Sequence, residues 1–330
     1  MDSAPSDARL SPSEARRVAR QRGYSPAAAW RAAALAASSP APEAWTRLLT
    51  LTAGGVGAGL LASAIVTFFA ANWDRMGHFA RLGALEAALI VAAVVAARWF
   101  GRLAGRLALD LGFVAIGALL AVFGQTYQTG ADPYQLFLGW AALGAPWVLV
   151  ACADELWLLA TLVLGVGLAR FVFQSGHDDD PGAALAVWAL GALAVVLWEV
   201  QARRPRPWLR ARWLPRAWAS LSGLALCVAF VVVLFQKGAG SFWLCVAAIV
   251  VSAVAVAQAY HRRSIDLFMQ TVVLGVLIVV TTAGVGDIII DSRQDTLGQL
   301  FILTLLVVGE SAGATVWLRS EARRARGGLT

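Results

Sequence analysis

Apolar runs close to twenty residues long recur along the chain, parted by short polar stretches rich in arginine. An α-helix rises ~1.5 Å per residue and a bilayer's hydrocarbon layer is ~30 Å thick, so runs of this length are what a membrane-crossing helix needs. The pattern predicts ten spans, near 49–71, 80–100, 107–128, 134–152, 156–173, 183–200, 217–235, 241–260, 267–286 and 297–318. The predicted fold class is all-α, a polytopic transmembrane helix bundle. Nothing like an inverted repeat relates its two halves, so the repeat architecture of many transporters is not visible.

Residues 1–47 are different: polar, basic and broken by proline. "SPSE" at 11–14 offers Ser11 as an N-cap, Pro12 at the first helical position and Glu14 where a capping box needs it. "SP" at 25–26 repeats the start signal, and "SSPAP" at 38–42 interrupts the chain before the membrane. The first long apolar run opens near Leu48, with no cleavable signal-peptide pattern before it, so that run itself is expected to direct membrane entry. The expected organisation is a cytoplasmic helical segment over 1–47, a membrane region of six spans over 48–200, a basic linker over 201–216, four further spans over 217–318 and a basic tail over 319–330.

Composition agrees with the pattern. The 330 residues are 59% hydrophobic and 14% charged, with mean hydropathy +0.69. A water-soluble domain carries about 25% charged residues, so this chain lacks the polar surface to cover a soluble globule. The net charge of +7 would suit nucleic acid, but its distribution argues for topology instead. Arg9 to Arg47, Arg98 to Arg106, Arg203 to Arg216, Arg262 and Arg263, and Arg319 to Arg326 account for twenty-two of the 27 basic residues, and ten spans place all of them on one side. Only Arg75, Arg81, Arg170, Lys237 and Arg293 fall on the other. Basic residues gather on the cytoplasmic side of short loops, which predicts both termini inside. Cys152, Cys227 and Cys245 lie in or beside spans without motif spacing, so neither a disulfide framework nor a zinc site is expected.

The stretch "FGQTYQTGADPYQLFLGW" (123–140) interrupts this apolar sequence. Much of it reads as a turn between the third and fourth spans. Gly130 suits a left-handed helix stop, Asp132 an N-cap and Pro133 a first helical position. Tyr127, Tyr134 and Trp140 suit interfacial aromatic anchors. Gln125, Gln128 and Thr129 remain; on a continuing helix they share one face. They are either part of a structural hairpin or a surface that contacts a ligand or partner.

"GQTYQTGADPYQLFLGWAALGAPW" (124–147) resembles the signature of the domain-of-unknown-function 2157 family of predicted bacterial membrane proteins, and "FFAANWDRM" (68–76) is similar to that family's Asn-Trp element. The resemblance covers roughly residues 45–200. It implies an integral protein of the bacterial inner membrane and no particular activity. Topology puts Asn72, Trp73 and Asp74 on the same outer side as 125–134, with the acidic "HDDD" at 177–180. Asn72, Trp73, Gln125, Tyr127, Gln128, Asp132 and Tyr134 are therefore candidates for one outward-facing polar cluster; two unrelated interfacial turns are the alternative.

Ionisable residues inside spans are costly and informative. Glu310 lies near the middle of the tenth span, where an acidic residue costs on the order of 3 kcal/mol to insert. Glu86 and Arg170 have matched depths and opposite charges, making them a candidate buried pair, while Asp110, Arg98 and Glu199 suit snorkelling to the cytoplasmic interface. Structural pairing and a transport or proton role both remain open for Glu86, Arg170 and Glu310. Gly309 and Gly313 beside Glu310, and Gly55, Gly59 and Ser63 in the first span, form small-residue faces that suit close helix packing.

Enzyme signals are weak. "GVGD" (284–287) resembles an element of intramembrane aspartyl proteases, but the preceding span supplies no second interior aspartate for the shared proton that chemistry requires. His78, His177 and His261 lack metal-ligand spacing, and no nucleophile-elbow or P-loop motif is present. The expectation is a non-enzymatic inner-membrane protein without cofactor, with a structural, regulatory or envelope-partner role in a lipid bilayer. A secondary transporter or permease for a small solute, using Glu86 and Glu310, is the competing class.

Overall fold

In a computed structural model the described residues are 12–25, 28–29, 42–72, 75–175, 181–202, 212–236, 239–261, 266–291 and 296–327. Every regular element among them is an α-helix. Ten helices are long and apolar enough to cross a membrane: Leu48–Phe68, His78–Arg98, Leu103–Tyr127, Pro133–Ala151, Asp154–Ser175, Gly182–Ala202, Trp213–Gln236, Gly240–Ala259, Leu267–Ile289 and Leu297–Arg323. They are the ten spans expected from the apolar pattern.

The chain divides into two units, Met1–Met76 and Gly77–Thr330. The first holds α1 (Pro12–Gln21) and α2 (Pro42–Asn72). Pro12 opens α1 with Glu14 in its first turn, as the start signal requires; Ser11 lies outside the described residues. Gly23, at φ +78°, ends that helix in the left-handed region, where a residue without Cβ incurs no steric cost. Ser25 caps the next turn, its Oγ accepting the N–H of Ala28 at 3.3 Å. Helix α2 runs unbroken from Pro42 into the first span. A Cβ added at Gly55, Gly57 or Gly59 would meet nothing within 4 Å, so among the described residues nothing packs on the two glycines of the expected Gly55–Gly59–Ser63 seam.

The second unit holds α3 (His78–Arg98), α4 (Leu103–Tyr127), α5 (Pro133–Ala151), α6 (Asp154–Ser175), α7 (Gly182–Ala202), α8 (Trp213–Gln236), α9 (Ala239–His261), α10 (Leu267–Asp291) and α11 (Thr296–Gly327). Each helix packs against its neighbour in sequence, and α8 also meets α6 and α10. Short connections make these neighbours antiparallel. The starts of α4, α6, α8 and α10 therefore share one end of the bundle with the finishes of α3, α5, α7, α9 and α11. That end carries Arg98, Arg102, Arg106, Arg212, Arg216 and Arg323, and is called the arginine-rich end.

Two apolar cores hold the unit together. Phe113, Val148, Leu156 and Val163 join α4, α5 and α6, flanked by Trp140 and Trp147. Leu185, Leu226, Ala229, Phe230, Val233, Cys245, Ala248 and Ile249 join α7, α8 and α9. Glycine makes the first core possible by close approach: Gly112 lies under Trp147, Gly117 under Trp140 and Gly144 under Phe113, where a Cβ would overlap the rings. Lipid chains are as apolar as leucine, so such interdigitation, rather than water exclusion, drives association between membrane helices. The remaining apolar surface faces outward; Phe79 is 86% exposed and Phe235 87%. Water would not tolerate that much continuous apolar surface, whereas lipid does.

Trp140 corrects one expectation. It is not an interfacial anchor: its indole N–H donates to the Phe113 carbonyl at 2.7 Å, and its ring packs on Phe113 at 5.6 Å. Gly309 and Gly313 correct another, since both are exposed and a Cβ at either would meet nothing within 4 Å.

Candidate functional site

The two ends of the second unit differ in chemistry. At one, α4 stops at Tyr127 because Gln128 turns left-handed, at φ +46°. The Gly124 carbonyl accepts the N–H of both Gln128 and Thr129, the latter at 3.3 Å. Gly130 also has positive φ, but it follows the stop instead of making it. Gln128 and Thr129 thus leave the helix and do not share a helical face with Gln125, contrary to the spacing argument. Asp132 occupies the N-cap of α5 with Pro133 behind it, yet its carboxylate accepts no capping hydrogen bond. Gln125, Tyr127, Gln128 and Thr129 are exposed, while Asp132 and Tyr134 are half-buried. Tyr127 packs on Phe123 at 4.7 Å and Tyr134 edge-on to Phe171 at 5.2 Å; the Gln135 amide donates to the Tyr134 hydroxyl at 3.3 Å. Gln125, Tyr127, Gln128, Asp132 and Tyr134 therefore come together at one hairpin end, with few partners of their own.

Asn72 belongs to the first unit, and its amide donates to the Phe68 carbonyl of its own helix at 2.9 Å. Trp73, Asp74 and the 177–180 acidic run lie outside the described residues.

The arginine-rich end holds the three ion pairs found among the described residues, and nothing in the sequence marked these pairs. Arg106 of α4 forks onto Glu155 of α6, Nε and Nη2 donating to the two carboxylate oxygens at 3.0 Å each. Arg212 donates to Glu199 at 2.5 Å and lies over the Trp198 ring at 5.5 Å. Arg216 reaches Asp266 at 3.2 Å, and Asp266 in turn caps α10 by accepting the Phe268 N–H at 3.1 Å. These are charge-assisted bonds between helices, the stronger kind of hydrogen bond. Glu199 is thus paired, not merely snorkelling. Around these pairs lie buried polar atoms with no partner among the described residues: Asp154 Oδ1, Trp198 Nε1, Trp218 Nε1, Gln201 Oε1 and both amide atoms of Gln270. An unpaired buried polar group costs about 1–3 kcal/mol, and a charged one more. Asp154 is 8% exposed, and Asp110 follows Arg106 by one helical turn. Both aspartates lie within Coulombic reach of Arg106 and Glu155. As the first residue of α6, Asp154 faces the favourable pole of a helix dipole, which contributes ~0.3–1 kcal/mol, less than full desolvation of a carboxylate costs.

Glu310 lies between these ends. Its carboxylate accepts hydroxyl protons from Thr281 at 2.6 Å and Thr282 at 3.4 Å, joining α11 to α10. Glu86 and Arg170 correct the depth argument: both are exposed, and no ion pair joins them among the described residues. A cavity of about 130 Å³ opens among α7, α8, α9 and α10, lined by Trp188, Ser222, Leu226, Ser252, Met269 and Val276 with other apolar groups. Neither Glu86 nor Glu310 lines it. Among the described residues no group of three or more His, Cys, Asp or Glu side chains is placed to hold a metal ion.

Ten apolar helices, an outward apolar surface and ion pairs gathered at one end of the second unit define a multi-pass helical membrane protein. Residues 25–157 match a family model described as "Predicted membrane protein (DUF2157)". The match contains both signature stretches, begins earlier than the resemblance suggested and ends inside α6. No curated protein and no solved structure matches the chain.

Proposed function

We propose that the chain is a bacterial inner-membrane protein with both termini in the cytoplasm, serving a structural or regulatory role without catalysis. It contacts an envelope or membrane partner through the outward end of the α4–α5 hairpin, residues 124–134. One observation carries this reading: Gln128 is left-handed yet exposed. Left-handed backbone costs a residue with a Cβ roughly 1–2 kcal/mol, and glycine would avoid that cost. Such strain gathers where a side chain is needed in a particular direction. Gln125, Tyr127 and Asp132 flank it with donors and acceptors that no hydrogen bond takes up among the described residues.

The test is photo-crosslinking in living cells, with the probe residue placed at Gln128, Gln125 or the lipid-facing Leu224. Defined adducts at the first two and none at Leu224 support the reading. Lipid adducts alone at all three sites refute it. The transporter reading draws on Glu310, held by two threonine hydroxyls at a helix interface. The apolar lining of the cavity weighs against it.

A further inference from the structure

The strongest unexplained chemistry lies at the arginine-rich end, where α4 and α6 bring three carboxylates and one guanidinium together. Arg106 is committed to Glu155 through two hydrogen bonds, leaving that pair neutral. Asp110 and Asp154 remain without a cation partner among the described residues. Asp154 is more than nine-tenths buried, and its Oδ1 finds no donor. Among the described residues the other elements offer it none. Helix α5 carries no charged residue, and Cys152, in the turn before α6, points its thiol to the Leu149 carbonyl at 3.4 Å. From α7 and α8, Glu199 and Arg212 are taken up with each other, and Arg216 with Asp266. A buried carboxylate without a counter-charge is neutralised in one of two ways: by binding a cation or by keeping its proton. Among the described residues no set of three ligating side chains is placed for a metal ion, and a proton needs only one oxygen.

We propose that Asp154 is a proton-binding site, set beside the Arg106–Glu155 pair and open to exchange from the arginine-rich end. In the loaded state its O–H bond is intact and Arg106 serves Glu155. On release the O–H bond breaks, the electron pair stays on the Asp154 carboxylate and the proton passes to water. The new anion then competes with Glu155 for the Arg106 guanidinium. Proton exchange thereby trades partners across the α4–α6 contact.

The experiment is an infrared pH titration of the full-length protein in lipid, with aspartate carboxyls isotopically labelled so that their bands separate from those of Glu310 and other glutamates. The wild type is expected to show a protonated-aspartate carbonyl band that disappears as pH rises. Asp154→Asn should abolish that band, whereas Glu310→Gln should leave it. Asp110→Asn, which removes the other carboxylate near Arg106, should also leave it. If Asp154→Asn fails to fold, Asp110→Asn decides, and loss of the band in that variant overturns the proposal. So does a wild type with no protonated-aspartate band, or a band that survives Asp154→Asn.

Discussion

Gly117→Ala tests the packing of the α4–α5 hairpin where a glycine lies under the Trp140 ring. A Cβ at residue 117 would overlap Cδ2, Cε2 and Cε3 of the Trp140 indole. The ring cannot slide away freely, because its N–H is bonded to the Phe113 carbonyl at 2.7 Å and its face packs on Phe113. Overpacking a well-filled contact costs typically 1–3 kcal/mol. Displacing the indole also forfeits an inter-helix hydrogen bond worth about 0.6 kcal/mol in membrane proteins. A loss of about 2–3 kcal/mol is therefore expected for Gly117→Ala. Trp140→Leu should be destabilising alone, yet it vacates the space that the new methyl needs, so the double variant should lose at least about 1 kcal/mol less than the sum of the singles. Heating the detergent-solubilised protein and measuring the fraction that stays monodisperse by fluorescence-detected size exclusion gives the ranking. A Gly117→Ala variant as heat-resistant as wild type, or strictly additive losses in the double variant, would refute the ring-on-glycine contact.

Further outcomes follow from other sites. Thr281→Val removes the shorter hydrogen bond to Glu310 and should cost about 1 kcal/mol in the same heat-stability assay, while Thr281→Ser should cost less. Asp266→Ala loses both the Arg216 pair and the cap on Phe268, so it should destabilise by about 2 kcal/mol and by more than Asp266→Asn, which can still cap α10. Gln128→Gly relieves left-handed strain and should raise heat stability by up to about 1 kcal/mol while weakening crosslinking from the adjacent Gln125; equal crosslinking would remove the reason for a glutamine there.

The spans were legible because a bilayer imposes a minimum length and a near absence of charge, and both can be counted along a chain. The hairpin at 128–133 was legible as a turn, but not in detail. Glycine's preference pointed to Gly130 as the helix stop, while the Gly124 carbonyl instead captures the N–H groups of Gln128 and Thr129. Ion pairs were the hardest to read. Arg106–Glu155 and Arg216–Asp266 join residues 49 and 50 positions apart, and nothing local marks them. Matching depth suggested Glu86 and Arg170, but depth does not fix which way a helix face points, and theirs point outward. Trp140 looked interfacial by its position near a span end; its burial depended on Gly117, on a different helix.

The account rests on ten crossings that leave the arginine-rich end in the cytoplasm, and thiol labelling of intact cells tests this most directly. In a background lacking Cys152, Cys227 and Cys245, single cysteines replace Thr129 and Leu297 at one end of the bundle and Phe100 and Arg323 at the other, all exposed positions. A membrane-impermeant maleimide should label positions 129 and 297 in intact cells, and 100 and 323 only after the membrane is opened. Labelling of 100 or 323 in intact cells, or a split between 129 and 297, would contradict it.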